Sequence, residues 1–247
     1  MKKVVVTGAA NGIGRATVRA CIDAGYFVIA VDKDRAGLQR LFDDTDAQDA
    51  IEIQPADLAD DGHIASLIPG LYQRHDTLHG LVNNAGIYHG KGVERYSDQE
   101  IDEIWRVNLK SLVCLSRDFA LGGEHQRTKG AKETRCIVNV ASVAGEVGSM
   151  DALYGATKAG VIGLTKANAW NFGPRVRVNA VSPALIRETA IHDRIPEHRR
   201  IEYERQEVLE EPILPNGVAA VILFLLSDQS RHMTGKVLAV DNGAYPR

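Results

Sequence analysis

The sequence predicts an α/β fold in which a parallel, doubly wound sheet carries helices on both faces, and three observations point there. Seven short β-branched runs, at residues 4–6, 27–31, 51–53, 78–82, 137–140, 176–181 and 237–240, alternate with amphipathic helical stretches along the chain. The runs are apolar at nearly every position, as strands covered on both faces must be, whereas a sheet with one wet face would alternate. No Pro- or Ser-rich linker and no helical-repeat period interrupts the series, so a single domain spanning residues 1–247 is expected.

The first run passes directly into Thr7-Gly-Ala-Ala-Asn-Gly-Ile-Gly14, and a helix follows whose apolar face includes Ile13, Ala16, Ala20 and Ile22. A glycine turn between a strand and a helix start suits a pyrophosphate. Gly8 permits the tight turn, Gly12 and Gly14 permit close approach, and the helix N-terminus stabilises the charge. A Rossmann-type nucleotide site is therefore expected around Gly8, Asn11, Gly12, Ile13 and Gly14. The second run ends at Asp32, close to the ~20-residue spacing at which an acid accepts hydrogen bonds from an adenosine ribose. Its carboxylate would repel a 2′-phosphate, which favours NAD over NADP; the neighbouring Lys33 is the one counter-signal. Asp57-Leu58 after the third run and Asn83-Asn84-Ala85-Gly86 after the fourth fall on the same edge of the sheet. Each alone would be a turn, but together they suit a lined nucleotide groove.

Ser142 follows the fifth run, and Tyr154 and Lys158 lie four apart on the next helical stretch, so phenol and ammonium share one face. A tyrosine working as a base near neutrality must fall by about 3 units, or about 4 kcal/mol. One cation about 4 Å away, at an effective dielectric near 20, supplies about that much. The sixth run leads into a charged segment, residues 185–212, placed where a lid over a ligand would lie. In it, His192, Arg194, His198, Arg199 and Arg200 are mixed with more acids than arginines, which predicts a solvated helix and not an anion site. Residues 218–226 read as a buried helix, far shorter than the ~18 apolar residues of a membrane span. The stretch between Gly122 and Arg135 reads as a surface loop.

Composition narrows the partners. A net charge of −3 gives no basic footprint for nucleic acid, so a small-molecule partner is expected, with neither nucleic acid nor membrane. The three cysteines are far apart and the eight histidines show no ligand spacing, so no metal site and no disulfide framework is expected. The opening Met1-Lys2-Lys3 enters a valine run at once, which predicts a cytoplasmic protein without a leader.

Taken in order, the run at 7–14, Asp32, Asp57, Asn83-Asn-Ala-Gly86, Asn108, Ser142, Tyr154-xxx-Lys158 and Arg177-Val-Asn-Ala-Val-Ser-Pro183 resembles the short-chain dehydrogenase/reductase family from about residue 4 to about residue 243. The resemblance implies a catalytic tetrad of Asn108, Ser142, Tyr154 and Lys158. In it Lys158 holds the nicotinamide ribose and lowers the tyrosine pKa, while Asn108 supports a proton relay through water. It further implies cofactor contacts from Asp57, Leu58, Asn84, Ala85, Gly86, Pro183, Ile186 and Thr189, and assembly into a homotetramer or dimer through the helices around 101–119 and 153–172. Two departures stand out. Ala184 replaces the glycine usual after that proline, and Glu188 stands where a threonine is usual, with Thr189 one residue later. The expected activity is NAD-dependent interconversion of a secondary alcohol and a ketone. One rival is an NADPH-dependent 3-oxoacyl-thioester reductase, which would want a basic residue at Asn11 or no acid at Asp32. Another is a nucleotide sensor without turnover, which has no need for Ser142, Tyr154 and Lys158 together.

Overall fold

Seven strands pair in the order β3-β2-β1-β4-β5-β6-β7: β1 Lys3–Thr7, β2 Phe27–Asp32, β3 Ile51–Pro55, β4 Gly80–Asn83, β5 Arg135–Val140, β6 Val176–Pro183 and β7 Val237–Val240. Every pairing is parallel. The computed structural model describes residues 1–122 and 134–245, so the expected surface loop between Gly122 and Arg135 lies, apart from its ends, outside the described residues. All seven β-branched runs form strands. The fourth starts later than its apolar pattern, because Leu78 is buried but the ladder to β1 begins at Val4↔Gly80.

The helices are α1 Gly12–Asp23, α2 Arg35–Asp43, α3 Asp61–Arg74, α4 Asp98–Trp105, α5 Ser111–Gly122, α6 Ala144–Val147, α7 Ala152–Phe172, α8 Ala190–Arg194, α9 Glu197–Glu204 and α10 Pro215–Leu226. Val18 and Cys21 of α1, Leu38 and Leu41 of α2 and Ile222 of α10 pack on one face of the sheet with Val4, Val6 and Val28. Ile68 and Leu71 of α3 and Leu115 and Phe119 of α5 pack on the other with Val5, Ile29 and Val31. Successive strand residues thus enter opposite cores, which is why the runs are apolar without alternation. None of the described helices is long and apolar enough to cross a membrane.

Because β2 and β3 extend to one side of β1, and β4 to β7 to the other, the sheet opens a crevice at the carboxyl ends of β1 and β4. The expected lid contains two short helices, α8 and α9; Arg187, ahead of α8, pairs with Glu204 of α9 at 2.9 Å, and Arg199 pairs with Glu202 within α9 at 2.5 Å. Ala184 does not take the left-handed backbone that a glycine would allow there. The positive φ falls instead on Glu188, at 59°, and on Asn242, at 51°, beside Gly243 at 77°. Asparagine tolerates that region with little strain, while a left-handed glutamate costs about 1 kcal/mol or more.

Two residues of the Arg177–Pro183 run fasten the end of the sheet. Arg177, buried, donates from Nη1 to the Ser230 and Met233 carbonyls at 3.0 and 3.2 Å, and from Nη2 to the Leu225 carbonyl at 2.9 Å. It thereby ties the last turn of α10, at Leu225, to the segment that leads into β7. Asn179 donates to the Met233 carbonyl at 2.9 Å and accepts from Lys236 N at 3.0 Å, which sets the entry to β7. Replacing Arg177 by Met keeps the bulk but removes the charged donor, while the Ser230, Met233 and Leu225 carbonyls keep Met233 N, Asn179 Nδ2 and Ser230 Oγ. The expected loss is about 3 kcal/mol, seen as a fall in Tm of roughly 6–12 °C; an unchanged Tm would contradict this role.

Candidate active site

A cavity of about 330 Å³ runs along the carboxyl ends of the strands, from the glycine turn to the start of α7. At one end lie Gly8, Asn11, Gly12, Ile13 and Asp32, and next to them Asn84, Ala85 and Gly86. The other end holds Ser142, Tyr154 and Lys158, with Pro183, Ile186 and Thr189 on the side of the lid.

The glycine turn is held from below. Asn84 Nδ2 donates to the carbonyls of Thr7 and Gly8 at 2.9 and 3.0 Å, and the Thr7 hydroxyl accepts from Asn84 N and Ala85 N at 3.0 and 3.1 Å. Gly8 and Gly12 have φ of 66° and 52°. Gly14 does not line the cavity; a Cβ on it would lie 1.9 Å from the Gly8 carbonyl oxygen, so it lets α1 start against the turn. The first turn of α1 carries no acidic side chain, and Asn11 at its N-cap makes no capping hydrogen bond. Backbone N–H groups and the helix dipole are therefore open toward the cavity, which fits an anionic pyrophosphate. Asp32 Oδ2 accepts from Ala10 N and Oδ1 from Asp34 N, both at 3.0 Å, leaving each oxygen a lone pair for a ligand hydroxyl. Thr189 sits over this end, its Cγ2 at 3.4 Å from where a Gly12 Cβ would be.

Four other expected residues stand apart from the cavity. Lys33 is exposed and Leu58 is buried in the core under α3. Asp57 accepts from Ala59 N at 2.9 Å within its own turn. Asn108, 2 % exposed, lies in a π-helical turn, Arg106–Lys110, between α4 and α5. Its carboxamide is spent on a clamp: Oδ1 accepts from Ile87 N at 2.8 Å, and Nδ2 donates to the Ile87 carbonyl at 2.9 Å and to Thr157 Oγ1 at 3.2 Å.

At the α7 end, Lys158 is buried and its Nζ donates to the Val140 carbonyl at 2.8 Å, 5.6 Å from the centre of the Tyr154 ring. Burial pulls its pKa down to about 8. The Tyr154 phenol moves the other way from the expected drop. Burial pushes it up to about 12, the Ser142 hydroxyl bonded to it pulls it back, and Tyr88 and Asp151 raise it further. The protein's own groups thus hold Tyr154 protonated, because desolvation outweighs the pull that a single lysine was expected to supply.

The lid segment expected over the ligand, 185–212, contributes Tyr203 to the substrate-side wall, whereas Tyr88 and Tyr245, which also line it, carry no sequence signal; the Tyr88 ring meets Tyr154 edge-on at 5.1 Å between centroids. Sequence reasoning also missed Asp151, whose only sequence signal is its place as an N-cap residue ahead of a helical run. Among the described residues, no group of three His, Cys, Asp or Glu is placed to hold a metal.

Comparison with known proteins agrees with this layout. Residues 8–245 match the family described as enoyl-(acyl carrier protein) reductase. The chain is 34% identical over 245 residues to the 3-oxoacyl-[acyl-carrier-protein] reductase FabG of Thermotoga maritima, covering 98% of this chain and 97% of the relative. A solved short-chain dehydrogenase/reductase of the glucose/ribitol dehydrogenase type from Brucella melitensis superposes with a TM-score of 0.89 at 30% identity, over 100% of this chain and 97% of that one. A 4-hydroxyisoleucine dehydrogenase solved with NADH gives 0.87 at 31% identity, over 100% of both chains. With its glycine turn, its switch-point cavity and this likeness over its full length, the chain belongs to the short-chain dehydrogenase/reductase family of oxidoreductases.

Proposed function

We propose that the protein interconverts a secondary alcohol and a ketone with NAD(H), Tyr154 moving the hydroxyl proton. The observation that carries the cofactor choice is Asp32, whose carboxylate lines the nucleotide end of the cavity while Lys33 does not. A 2′-phosphate would meet that negative charge with no cation there to offset it, since Asn11 is neutral. The related 4-hydroxyisoleucine dehydrogenase solved with NADH supports this reading.

Bound in the cavity, a nicotinamide cofactor would supply the acceptor or donor of the hydride. The chain does the rest. The α1 N-terminus and glycine turn hold the pyrophosphate, Asp32 the adenosine ribose, and Lys158 the second ribose. Ser142 orients the substrate oxygen and Tyr154 gives or takes its proton. Starting from about 12, the phenol must fall by about 5 units, or about 7 kcal/mol, to act as a base near neutrality. One cation about 4 Å away supplies about 4 kcal/mol, so the Lys158 ammonium alone falls short. An oxidised nicotinamide, when bound, would add positive charge beside the phenol and favour its ionisation. Beside a reduced, uncharged ring Tyr154 would keep its proton and serve as the acid for ketone reduction.

A second reading, a 3-oxoacyl-thioester reductase using NADPH, draws support from the Thermotoga relative. Assembly is also proposed: Trp170 on α7, 89% exposed, and Trp105 on α4 offer apolar surface for a homodimer or homotetramer.

Cofactor titration separates the first two readings. NADH is expected to bind roughly tenfold or more tightly than NADPH, with Asp32→Ser closing the gap; tighter NADPH binding by the unaltered protein would overturn the NAD assignment. Tyr154→Phe is expected to lower kcat by roughly 10²–10⁴ while NADH binding is kept, and unchanged turnover would remove Tyr154 from the mechanism.

A further inference from the structure

Three residues before Tyr154 stands a carboxylate with no exposed surface at all, Asp151. Its Oδ1 accepts from Tyr154 N at 3.0 Å and its Oδ2 from Gly90 N at 2.9 Å and His89 N at 3.3 Å, while the Tyr96 hydroxyl lies 2.7 Å from both oxygens. No cation among the described residues pairs with it: Lys91, over the Tyr96 ring, is bonded to Glu100 at 2.6 Å. A helix cap needs one acceptor, and serine or asparagine provides it as well as aspartate. A buried full charge held by neutral donors alone exceeds what capping requires.

Its partners show where it acts. Tyr88 lies between two clamped positions of the loop after β4, Ile87 held by Asn108 and His89 and Gly90 held by Asp151. Arg194 Nη1 fixes the Tyr88 carbonyl at 2.7 Å. The same carboxylate therefore anchors the first turn of α7, which carries Tyr154, and the loop whose ring packs on Tyr154. Around the Tyr154 phenol the charged and titratable groups are Lys158 on its own helix, Tyr88 on the β4 loop and Asp151 at the helix start, with the Ser142 hydroxyl beyond β5. Of these, Asp151 is the buried negative charge, and a low-dielectric setting screens it little.

We propose that Asp151 is the positioning residue of this site: it fixes Tyr154 and Tyr88 relative to each other, and its buried carboxylate adds to the burial that opposes ionisation of the phenol. The proposal rests on Tyr154 as the acid/base. Like charges disfavour one another, so removing the carboxylate's charge eases ionisation of the phenol, in line with the direction in which Asp151 moves it.

The test compares Asp151→Asn, which keeps the cap and removes the charge, with Tyr96→Phe, which loosens the loop and keeps the charge. The rising limb of the pH profile for alcohol oxidation reports the phenol losing its proton. It is expected to move to lower pH in Asp151→Asn and to stay in place in Tyr96→Phe, whose kcat falls. An unmoved limb in Asp151→Asn, or an equal shift in both variants, would overturn the proposal. Tyrosinate absorbance in alkali, each protein read against its own Tyr154→Phe version and without cofactor or substrate, gives the same comparison independently of turnover. A chain that turns over no alcohol or ketone thus fails the proposed function, while the absorbance still decides the role of Asp151. Where Asp151→Asn does not fold, Asp151→Ser keeps a capping hydroxyl and carries the same test.

Discussion

An ammonium group taken out of water costs several kcal/mol unless its donors are met, and the site is arranged around that cost at Lys158. Its side chain, with 4 % of its surface left exposed, runs from α7 to the carboxyl end of β5, where the Val140 carbonyl accepts from Nζ. A Cβ on Gly145 would lie 2.5 Å from the Lys158 carbonyl carbon, so α6 can press directly on the α7 backbone that carries it. Burial leaves Lys158 with a pKa near 8, still mostly charged at neutral pH, while the same burial keeps Tyr154 protonated. Two neighbours desolvated together are pushed in opposite directions, toward their neutral forms.

That arrangement makes the site's chemistry conditional on charge brought in from outside. Asp151 and Tyr88 oppose ionisation of the phenol and Ser142 favours it. A parallel sheet suits such a site, because every strand delivers its carboxyl end to the same edge. Thr7, Asp32, Asn84 and Ser142 come from four different strand ends and meet along one cavity wall or directly beneath it. The cores on the two faces hold those ends, Arg187, Arg199 and Arg194 of the lid are engaged by Glu204, Glu202 and the Tyr88 carbonyl, and among the described residues Lys158 is the lysine or arginine that lines the cavity.

Much of this was legible in the sequence where a local pattern has one physical cause. Continuous apolar runs mark strands such as β2 and β6 because both faces are covered, and the strand–glycine–helix order marks the turn at Gly8 to Gly14. Residues whose placement depends on distant packing were not legible. Asp57 and Leu58 follow a strand end as Asp32 does, yet β3 lies at the edge of the sheet, one strand further from the crevice, and their side chains serve a turn and the core. Asn108 is read as a site residue from the resemblance, but the π-helical turn that carries it and the clamp of its carboxamide on Ile87 have no signal in the sequence. The tyrosine pair at 88 and 154 joins residues from two elements and has no spacing to betray it. The departures at Ala184 and Glu188 are visible in the sequence, but the left-handed backbone of Glu188 and the place of Thr189 over Gly12 depend on the lid's own path.

The central claim is that the Tyr154 proton is held by burial and nearby negative charge and is released when positive charge enters the cavity. Proton release on cofactor binding, measured by calorimetry in buffers of different ionisation enthalpy between neutral and mildly alkaline pH, tests it most directly. NAD⁺ binding is expected to release a proton, NADH binding none, and the NAD⁺ release is expected to disappear in Tyr154→Phe. Equal release with both cofactors, or a release that survives in Tyr154→Phe and so comes from Lys158 instead, would contradict it.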